Sequence, residues 1–449
     1  MQQLDSTVIA NALPAISQSI GAEAVTLDLA ITSYLLSVAV FIPISGWVAD
    51  KFGGKLVFRI AIAVFTLSSI LCGFADSLGT LVAGRILQGM GGAMMVPVGR
   101  LVILKTVPKS DLVRAMTFLT TPAIIAPVLG PPIGGYIVTY GSWRWIFFMN
   151  APIGLLGILL VTLFMEEVRE KDAGRPDLPG FVLTGIGLAG LVFGFETMGR
   201  GMIPPWAVAA LLVGGSLAMT LYWFHAKRVE QPIINFGLFR HRTFLAAVFG
   251  GNLCRFGQGS LPFLLAMMLQ LGFGYSAFLS GILTFSSAAG ALCMKMTVGP
   301  IIRKFGFRNV LIYDTVIIAL FFLAYASITG TTPYWAIMLV LLVGGFFRSL
   351  QFTSLASLTY ADIPAPMMSR ATSLASMAQQ LAQSIGVGLT ASIVHLSLML
   401  RGGETVSAED VRPAFVALFF FTTASLYFFR SLDPAAGEEL TGRGKIKAP

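Results

Sequence analysis

Seven ionisable side chains stand inside long apolar stretches of a chain in which only 11% of residues are charged. They are Asp5, Arg85, Arg100, Arg255, Lys295, Asp314 and Arg348. A charge in an apolar segment is costly and by default indicates a functional site. A buried carboxyl can bind and release a proton as its surroundings change, and Asp5 is the first candidate for this chemistry. Arg85 is the cation predicted to modulate Asp5, although it could instead bond to backbone carbonyl groups. Asp314 is expected to pair with Lys295 or Arg303.

The composition indicates that lipid surrounds most of this protein. Hydrophobic residues form 56% of the 449 residues, and the mean hydropathy is +0.82. A soluble domain has roughly a quarter of its residues charged. Lipid requires an internally paired backbone, which leaves helix bundles or closed barrels. The strands of a barrel would alternate apolar and polar residues. The long apolar runs therefore predict an all-α polytopic membrane protein.

Fourteen apolar windows, each long enough to span a bilayer, follow one another along the chain. They lie at 1–20, 26–49, 56–75, 80–104, 112–138, 145–165, 178–198, 204–225, 243–271, 275–299, 307–328, 333–358, 365–396 and 411–430. An even number places both termini on one side. Of the 30 Lys and Arg residues, 21 lie on that side and four on the other. Basic loops stay in the cytoplasm, so both termini are predicted to be cytoplasmic.

Two separate loops repeat at nearly the same spacing. GWVADKFGGK at 46–55 matches GPIIRKFGFR at an offset of 253, and VPKSDLVRAMT at 107–117 matches IPAPMMSRATS at an offset of 256. The repeat predicts two pseudo-symmetric six-helix bundles with two helices between them, a 6+2+6 plan. The predicted parts are an N-terminal bundle at 1–165, a linker at 166–177, two inserted helices at 178–225, a basic loop at 226–242, a C-terminal bundle at 243–430 and a tail at 431–449. The offset also predicts that the first helix lacks about ten N-terminal residues, unless that helix is simply short.

Arg255 lies about thirteen residues into the ninth window, near the middle of the bilayer. The repeat offset carries Asp5 onto position 258, one turn from Arg255, so both are expected to line a central cavity. They could pair with each other, or Arg255 and Arg348 could bind an anionic group of a solute. Gln258 and Gln380 are further candidates for this cavity, although polar residues there could equally join helices.

Five stretches of the sequence carry recognisable motifs. They are LDSTVIANALP at 4–14, GWVADKFGGK at 46–55, LVAGRILQGMGGAMMVPVGR at 81–100, APVLGPPIGGY at 126–136 and WRWIFFMNAPIG at 143–154. Their order resembles that of the fourteen-span drug:proton antiporters of the major facilitator superfamily, the EmrB/QacA type, and the second to fourth resemble its motifs A, B and C. VPVGR and the stretch around Arg255 resemble the MdtD-like group of that branch. The resemblance implies the major facilitator fold in a bacterial inner membrane.

Motif A is expected to form a tight turn and a gate. Gly53 permits a positive φ that larger residues resist. Asp50 ends the second window where Arg100 of the fourth window also arrives, so an Asp50–Arg100 link is predicted to hold the cytoplasmic side closed. The alternative is that Asp50 is simply a solvated loop charge. Gly46 and Lys51 complete the motif.

Motif C combines prolines and glycines within one window. Its predicted residues are Pro127, Gly130, Pro131, Gly134 and Gly135. Proline bends a helix by removing a hydrogen bond from its ladder, and glycine allows close contact with a neighbouring helix. Such a helix can flex or form a tight seal. In the family this motif distinguishes exporters from importers, so the resemblance implies export.

The leading hypothesis is a secondary active exporter, in which protons enter while small organic compounds leave by alternating access. Multidrug efflux is the default within the family. An alternative is a narrower exporter of organic anions such as citrate or metal–citrate, which Arg255 and Arg348 favour. A different class is a non-transporting membrane sensor or scaffold, although intact gate motifs argue against it.

The expected partners are a small-molecule substrate, protons and the lipid bilayer, and the net charge of +9 needs no nucleic acid. The sequence leaves open a monomer and an association with a periplasmic adaptor. It contains no G-x-x-x-x-G-K-[ST] loop, so the proton gradient is the expected energy source and no cofactor is predicted. Scattered Cys and His residues predict no metal site, and without a nucleophile–base constellation an enzyme is not expected.

Overall fold

The computed structural model describes residues 1–21, 24–170, 174–199, 202–403 and 405–441. Within these ranges the chain is helical, without a strand, and forms fourteen long helical segments. The first seven are α1 (Gln2–Ile20), α2 (Ala24–Phe41 and Ser45–Phe52), α3 (Gly54–Gly73), α4 (Leu78–Thr106), α5 (Leu112–Tyr140), α6 (Trp145–Phe148 and Asn150–Phe164) and α7 (Leu178–Thr197). The others are α8 (Pro205–Ala226), α9 (242–272), α10 (Ala277–Phe305), α11 (Phe307–Ala326), α12 (Tyr334–Leu358), α13 (Met368–Arg401) and α14 (Ala408–Ala424 and Leu426–Arg430).

The length and composition of these helices fit a multi-pass membrane protein. In the described ranges ten helices are long and apolar enough to cross a membrane, and the two parts of α2, bent by 58°, bring the number to eleven. The other three segments, α1, α5 and α9, pack against these helices. The predicted all-α class is confirmed.

The structure reproduces the internal repeat at both loops. α2 and α10 end at Phe52 and Phe305, and each is followed by a single glycine, Gly53 or Gly306, with φ of +97° or +76°. The next helix begins directly afterwards. At the other loop, short 3-10 turns at Lys109–Asp111 and Ala365–Met367 precede α5 and α13.

Helix pairing follows the same rule in both halves. In the first half α1 packs against α5, α2 against α4, and α3 against α4 and α6. In the second half α9 packs against α13, α10 against α12, and α11 against α12 and α14. The two additional helices, α7 and α8, pack against each other, and α7 also contacts α2 and α13. We call α1–α6 the N bundle and α9–α14 the C bundle.

One end of the helices carries most of the basic residues. The loops after α2, α4, α6, α8, α10 and α12 lie at this end, together with both chain ends of the described structure. We call it the basic end and the other one the opposite end. The segment after α14 also packs here: Leu432 and Leu440 are 3% and 2% exposed and lie in one apolar cluster with Leu112 of the N bundle and Phe307 of the C bundle.

Candidate functional site

Asp5 and Arg85 form an ion pair in the interior of the N bundle. Their side chains are fully buried, and Arg85 Nη1 contacts Asp5 Oδ2. Arg85 Nε also donates to the carbonyl oxygen of Ala30 (3.0 Å), and the guanidinium carbon lies 4.2 Å from the centre of the Tyr34 ring. Arg85 therefore makes both contacts that the sequence left as alternatives, one to the carboxyl and one to a backbone carbonyl.

Two further side chains donate hydrogen bonds to Asp5. Gln88 Nε2 and Asn150 Nδ2 lie 3.0 and 3.1 Å from Asp5 Oδ1, and Arg85 Nη1 donates to Gln88 Oε1 (2.5 Å). Asn150 also donates to Ser69 Oγ (3.0 Å). Helices α1, α3, α4 and α6 thus meet around one carboxylate. Charge-assisted hydrogen bonds of this kind hold a buried carboxylate in place. We call these five residues the Asp5 site.

Gln88 and Asn150 were not predicted from the sequence as members of a functional site. A signal was present for each of them. Gln88 follows Arg85 by three residues, so both side chains lie on one face of α4. Asn150 stands at the break between the two parts of α6, within the stretch WRWIFFMNAPIG.

Of the two alternatives that the sequence left for Arg255, pairing with Asp5 is not observed among the described residues. Arg255 Nη1 instead donates to Asn252 Oδ1 (3.1 Å), three residues earlier on α9. Helical side chains lean toward the N-terminus of their helix, and for α9 this is the direction of the basic end. Arg255 is therefore directed away from the Asp5 site.

Arg255 approaches a second buried guanidinium, from the other bundle. Arg100 of α4 is 6% exposed, Arg255 is 7% exposed, and they are close enough for their positive charges to repel each other. Arg100 Nη1 donates to the hydroxyl of Tyr360 (3.0 Å). Neither guanidinium pairs with a carboxylate within the described part of the chain. We call Arg100 and Arg255 the arginine pair.

The other residues predicted for the cavity lie in the C bundle. Arg348 Nη2 of α12 donates to Ser287 Oγ of α10 (3.2 Å). Gln258 and Gln380 are half-buried on α9 and α13, two helices that pack against each other. These residues do not join the Asp5 site.

The predicted Asp50–Arg100 link is wrong. Asp50 accepts a hydrogen bond from Ser369 of α13, and Lys105 Nζ lies 3.5 Å from its carboxylate. The physical reason is that α2 crosses α13 closely: a Cβ on Gly46 would lie 2.6 Å from the carbonyl oxygen of Ser369. Asp50 therefore contacts Ser369 of the C bundle and Lys105 of α4, and not Arg100. Lys51, beside it, is exposed.

Hydrogen bonds join the two bundles in the half of the molecule nearest the basic end. Gly46 N donates to Ser373 Oγ (2.9 Å), and Ser45 Oγ lies 3.0 Å from the same hydroxyl. Lys295 Nζ of α10 donates to Thr120 Oγ1 of α5 (2.6 Å). Together with Asp50–Ser369 and Arg100–Tyr360, these contacts close the basic end in this conformation.

Motif C lies within the continuous helix α5. A Cβ on Gly134 would lie 2.9 Å from the carbonyl oxygen of Val8 in α1, so a glycine is required for this close packing. Gly130 is buried and Gly135 is half-buried. The side chains of Pro127 and Pro131 lie outside the described part of the structure.

The predicted partners of Asp314 are wrong as well. Lys295 donates to Thr120 and to Thr353 Oγ1 (2.7 Å), and Arg303 is exposed. Asp314 itself is 2% exposed on α11. The Lys295 ammonium group thus bonds to hydroxyls of α5 and α12 in place of the Asp314 carboxyl.

Comparison with known proteins identifies the family. Residues 1–387 match the model of the Major Facilitator Superfamily, and the chain belongs to this family. The protein is therefore a multi-pass membrane transporter and not an enzyme.

Relatives and solved structures agree with the predicted branch and fold. A protein of Salmonella paratyphi A with the provisional name multidrug resistance protein MdtD is 41% identical over 396 residues, which are 88% of this chain and 84% of the relative. The protein of the same name from Salmonella typhimurium shows the same identity and coverage.

Among solved structures, the human organic anion transporter MFSD10 (TETRAN) matches with a TM-score of 0.67 and 15% identity, covering 95% of this chain and 96% of its own. The proton:xylose symporter XylE, bound to 6-bromo-6-deoxy-D-glucose, matches with a TM-score of 0.66 and 16% identity, covering 98% and 95%. At these identities the two matches show the fold alone.

Proposed function

We propose that this protein is a proton-coupled exporter of small organic compounds that works by alternating access in a bacterial inner membrane. In this proposal the basic end faces the cytoplasm and protons enter from the opposite side. The observation that carries the proposal is the Asp5 site, in which one buried carboxylate is held by three donor side chains. The name of the relatives supports drugs as cargo.

Protonation of Asp5 is the chemical step of the proposed cycle. A proton removes the negative charge that pairs with Arg85, and the hydrogen bonds from Gln88 and Asn150 lose their charge assistance. Arg85 keeps its contacts with Ala30 and Tyr34, so it has partners when the carboxyl is neutral. The site can therefore exist in two charge states, each with a different attraction between α1 and α4.

Helices α1 and α4 connect the Asp5 site to the contacts between the bundles at the basic end. Arg85 and Arg100 both stand on α4, fifteen residues or about 22 Å apart. α1 packs closely on α5 at Gly134, and α5 reaches the C bundle through Thr120. A shift of α1 or α4 at the Asp5 site therefore acts on contacts that hold the bundles together.

Transport in inverted membrane vesicles tests the proposal. With an acidic vesicle interior, we expect the native protein to accumulate the cationic dye ethidium. Asp5→Asn should abolish this uptake while the purified variant still unfolds cooperatively on heating. Asp76→Asn is the matched control, because Asp76 also pairs with an arginine, Arg144, but its side chain is 91% exposed at the opposite end. Uptake by Asp5→Asn at the native rate would contradict the proposal.

A second candidate cargo is an organic anion such as citrate or a metal–citrate complex. The arginine pair favours it, because among the described residues the two buried guanidiniums, from opposite bundles, have only neutral hydrogen-bond partners, Tyr360 and Asn252. A buried cation without a counter-charge is costly, and an anionic solute between the bundles would offset that cost. Arg348, bonded to a serine hydroxyl, adds a third cation without a carboxylate partner among the described residues.

Arg255→Gln separates the two cargoes. If organic anions are the cargo, this variant should lose uptake of radiolabelled citrate and take up ethidium at least as well as the native protein. Asn252→Ala is the control, since it removes the partner of Arg255 but keeps the charge. Unchanged citrate uptake by Arg255→Gln would remove the anion candidate.

A further inference from the structure

Asp314 is a buried carboxyl for which the described part of the chain provides no hydrogen-bond partner. It lies seven residues after the start of α11, about 10 Å from the basic end. It is 2% exposed, and neither Oδ1 nor Oδ2 accepts a hydrogen bond from any described residue. Buried polar groups are nearly always hydrogen-bonded, so such an exception requires an explanation.

The polar groups near Asp314 are engaged with one another. Gln351 of α12 donates to Thr315 Oγ1 (2.9 Å), beside Asp314 on α11. Cys254 of α9 lies within electrostatic range of Asp314, and its thiol contacts Ser425 Oγ of α14 at 3.2 Å. Within the described ranges, the titratable group of another helix that interacts electrostatically with Asp314 is thus a thiol and not a cation.

The charged groups on the neighbouring helices are directed elsewhere. Arg255 of α9 bonds to Asn252, and Arg348 of α12 bonds to Ser287. On α11 itself, Arg308 donates to the backbone carbonyl of residue 430. The carboxyl of Asp410 on α14 lies at the opposite end of the C bundle, paired with Arg401.

An ionised carboxylate in these surroundings would have neither a donor nor a counter-charge. Burying an unpaired ion costs far more than burying a neutral polar group, and such a group neutralises instead. The neutral acid leaves only one O–H to be satisfied. The surroundings of Asp314 therefore fit a carboxylic acid, whereas those of Asp5 fit a carboxylate.

Two interruptions of regular α-helical hydrogen bonding lie in the C bundle toward the basic end. α9 contains a π turn at Ala246–Gly250, one turn before Cys254, and α14 is broken at Ser425. The two interruptions touch, since a Cβ on Gly250 would lie 2.8 Å from the ring of Phe429. π turns often occur at functional sites. Both interruptions lie toward the basic end of the C bundle, the end at which Asp314 is also placed.

We propose that Asp314 is a second proton-binding site of the transporter, occupied while the basic end is closed and emptied into water at the basic end when that end opens. The step forms and breaks one carboxylic O–H bond, and the released proton passes to water. This inference rests on the proposed proton coupling and adds a group in the C bundle to it. Each bundle then contains one proton-binding carboxyl of the proposed cycle, Asp5 in the N bundle and Asp314 in the C bundle.

Infrared spectroscopy of the purified protein tests the occupied state directly. The C=O stretch of a carboxylic acid is separate from the bands of a carboxylate. We expect such a band at neutral pH in the native protein, its loss in Asp314→Asn, and its retention at a shifted frequency in Asp314→Glu. Asp362→Asn, which removes an exposed acid at the basic end, is the control and should leave the band unchanged. Native and Asp314→Asn spectra with the same acid band would overturn the proposal.

Locking the basic end tests proton release. Ser45→Cys combined with Ser373→Cys places two thiols where hydroxyls lie 3.0 Å apart, in a Cys293→Ser background because Cys293 is the exposed native cysteine among the described residues. In the cross-linked protein the acid band should persist as the pH is raised, and after reduction it should disappear. Identical titrations in both forms would overturn release at the basic end. The infrared spectra do not depend on transport, and proton-coupled transport is measured separately in vesicles. Failure of the Asp314 proposal is therefore distinguishable from failure of the proposed function.

Discussion

Asp5 and Asp314 are both buried carboxyls, but they differ in every polar contact. Asp5 pairs with Arg85 and accepts hydrogen bonds from Gln88 and Asn150. Asp314 has no such partner among the described residues. The difference arises because the N bundle directs three donor side chains to one point, whereas the polar groups near Asp314 bond to one another. Burial alone therefore does not assign the charge of an acid in this protein.

A double-mutant cycle on the ion pair is the first residue-scale prediction. Asp5→Asn and Arg85→Gln should each lower the free energy of unfolding by about 3–5 kcal/mol, because each leaves a buried group without its counter-charge. The double variant should cost less than the sum of the two single variants. Chemical denaturation in detergent measures all three. Additive losses would mean that the two side chains do not interact.

Asn150 gives a second residue-scale prediction. Asn150→Ala removes a hydrogen bond to a charged group and should cost about 1.5–3 kcal/mol of stability. It should also slow proton-driven ethidium uptake, because Asp5 loses a group that orients it. Asn309→Ala is the control, since exposed Asn309 donates to the carbonyl oxygen of Phe305 and not to a charged group among the described residues. Native stability in Asn150→Ala would show that this hydrogen bond contributes nothing.

The residues of the Asp5 site were only partly predictable. Asp5 and Arg85 could be named because both are charges within apolar windows. Whether Asp5 pairs with Arg85 or with Arg255 depends on the directions of the side chains. Apolar windows in a sequence do not give those directions. Gln88 and Asn150 are neutral, so the cost of burying a charge, which identified Asp5 and Arg85, does not apply to them. The absence of a partner for Asp314 depends on what every neighbouring helix directs toward it.

At the scale of elements, α2 and α13 cross closely between the bundles at the basic end. Gly46 lies against the backbone of α13, and Ser45, Gly46 and Asp50 contact Ser369 or Ser373 there. The contact has to separate if the basic end opens. Cross-linking of Ser45→Cys to Ser373→Cys should therefore abolish ethidium uptake in vesicles, and a reducing agent should restore it. Uptake by the fully cross-linked protein would show that transport does not require opening here.

The segment that follows α14 gives a second prediction at this scale. Leu440 is 2% exposed between the bundles, while the nearby pair Lys109–Glu439 is largely exposed at 2.6 Å. Leu440→Ala should cost about 2–5 kcal/mol of local stability and expose the segment to limited proteolysis. Glu439→Gln should change it by less than about 1 kcal/mol, because exposed ion pairs contribute little. The reverse order of effects would mean that the ion pair holds the segment.

The limits of helices followed from the sequence better than their internal shape. The fourteen windows correspond to the fourteen helical segments of the described structure, and Gly53 forms the turn with a positive φ that motif A predicted. Gly306 forms the same turn after α10, at the position that matches Gly53 in the repeat. The window at 26–49 was continuous, whereas α2 bends by 58° next to Pro43, a residue whose effect the apolar count ignored. The π turns of α9 have no comparable sequence signal.

At the scale of the whole molecule, the repeat accounts for the pairing of helices within each bundle and between bundles. α2 meets α13 as α10 meets α5, and α4 meets α13 as α12 meets α5. The loop offsets of 253 and 256 predicted two bundles of six helices with two helices between them, but not which helices meet across the interface. The offsets do not predict which end of the molecule is closed. Closure of the basic end depends on side-chain contacts between the bundles, whereas the repeat is the same in every conformation.

The most direct test of the central claim is the release of protons by purified protein when cargo binds. Ethidium is added to the detergent-solubilised transporter in weak buffer, and a pH-sensitive dye reports protons. Binding should release protons from the native protein and from Asp76→Asn, and Asp5→Asn should bind ethidium without releasing the proton assigned to Asp5. Equal release by the native protein and Asp5→Asn would contradict the account.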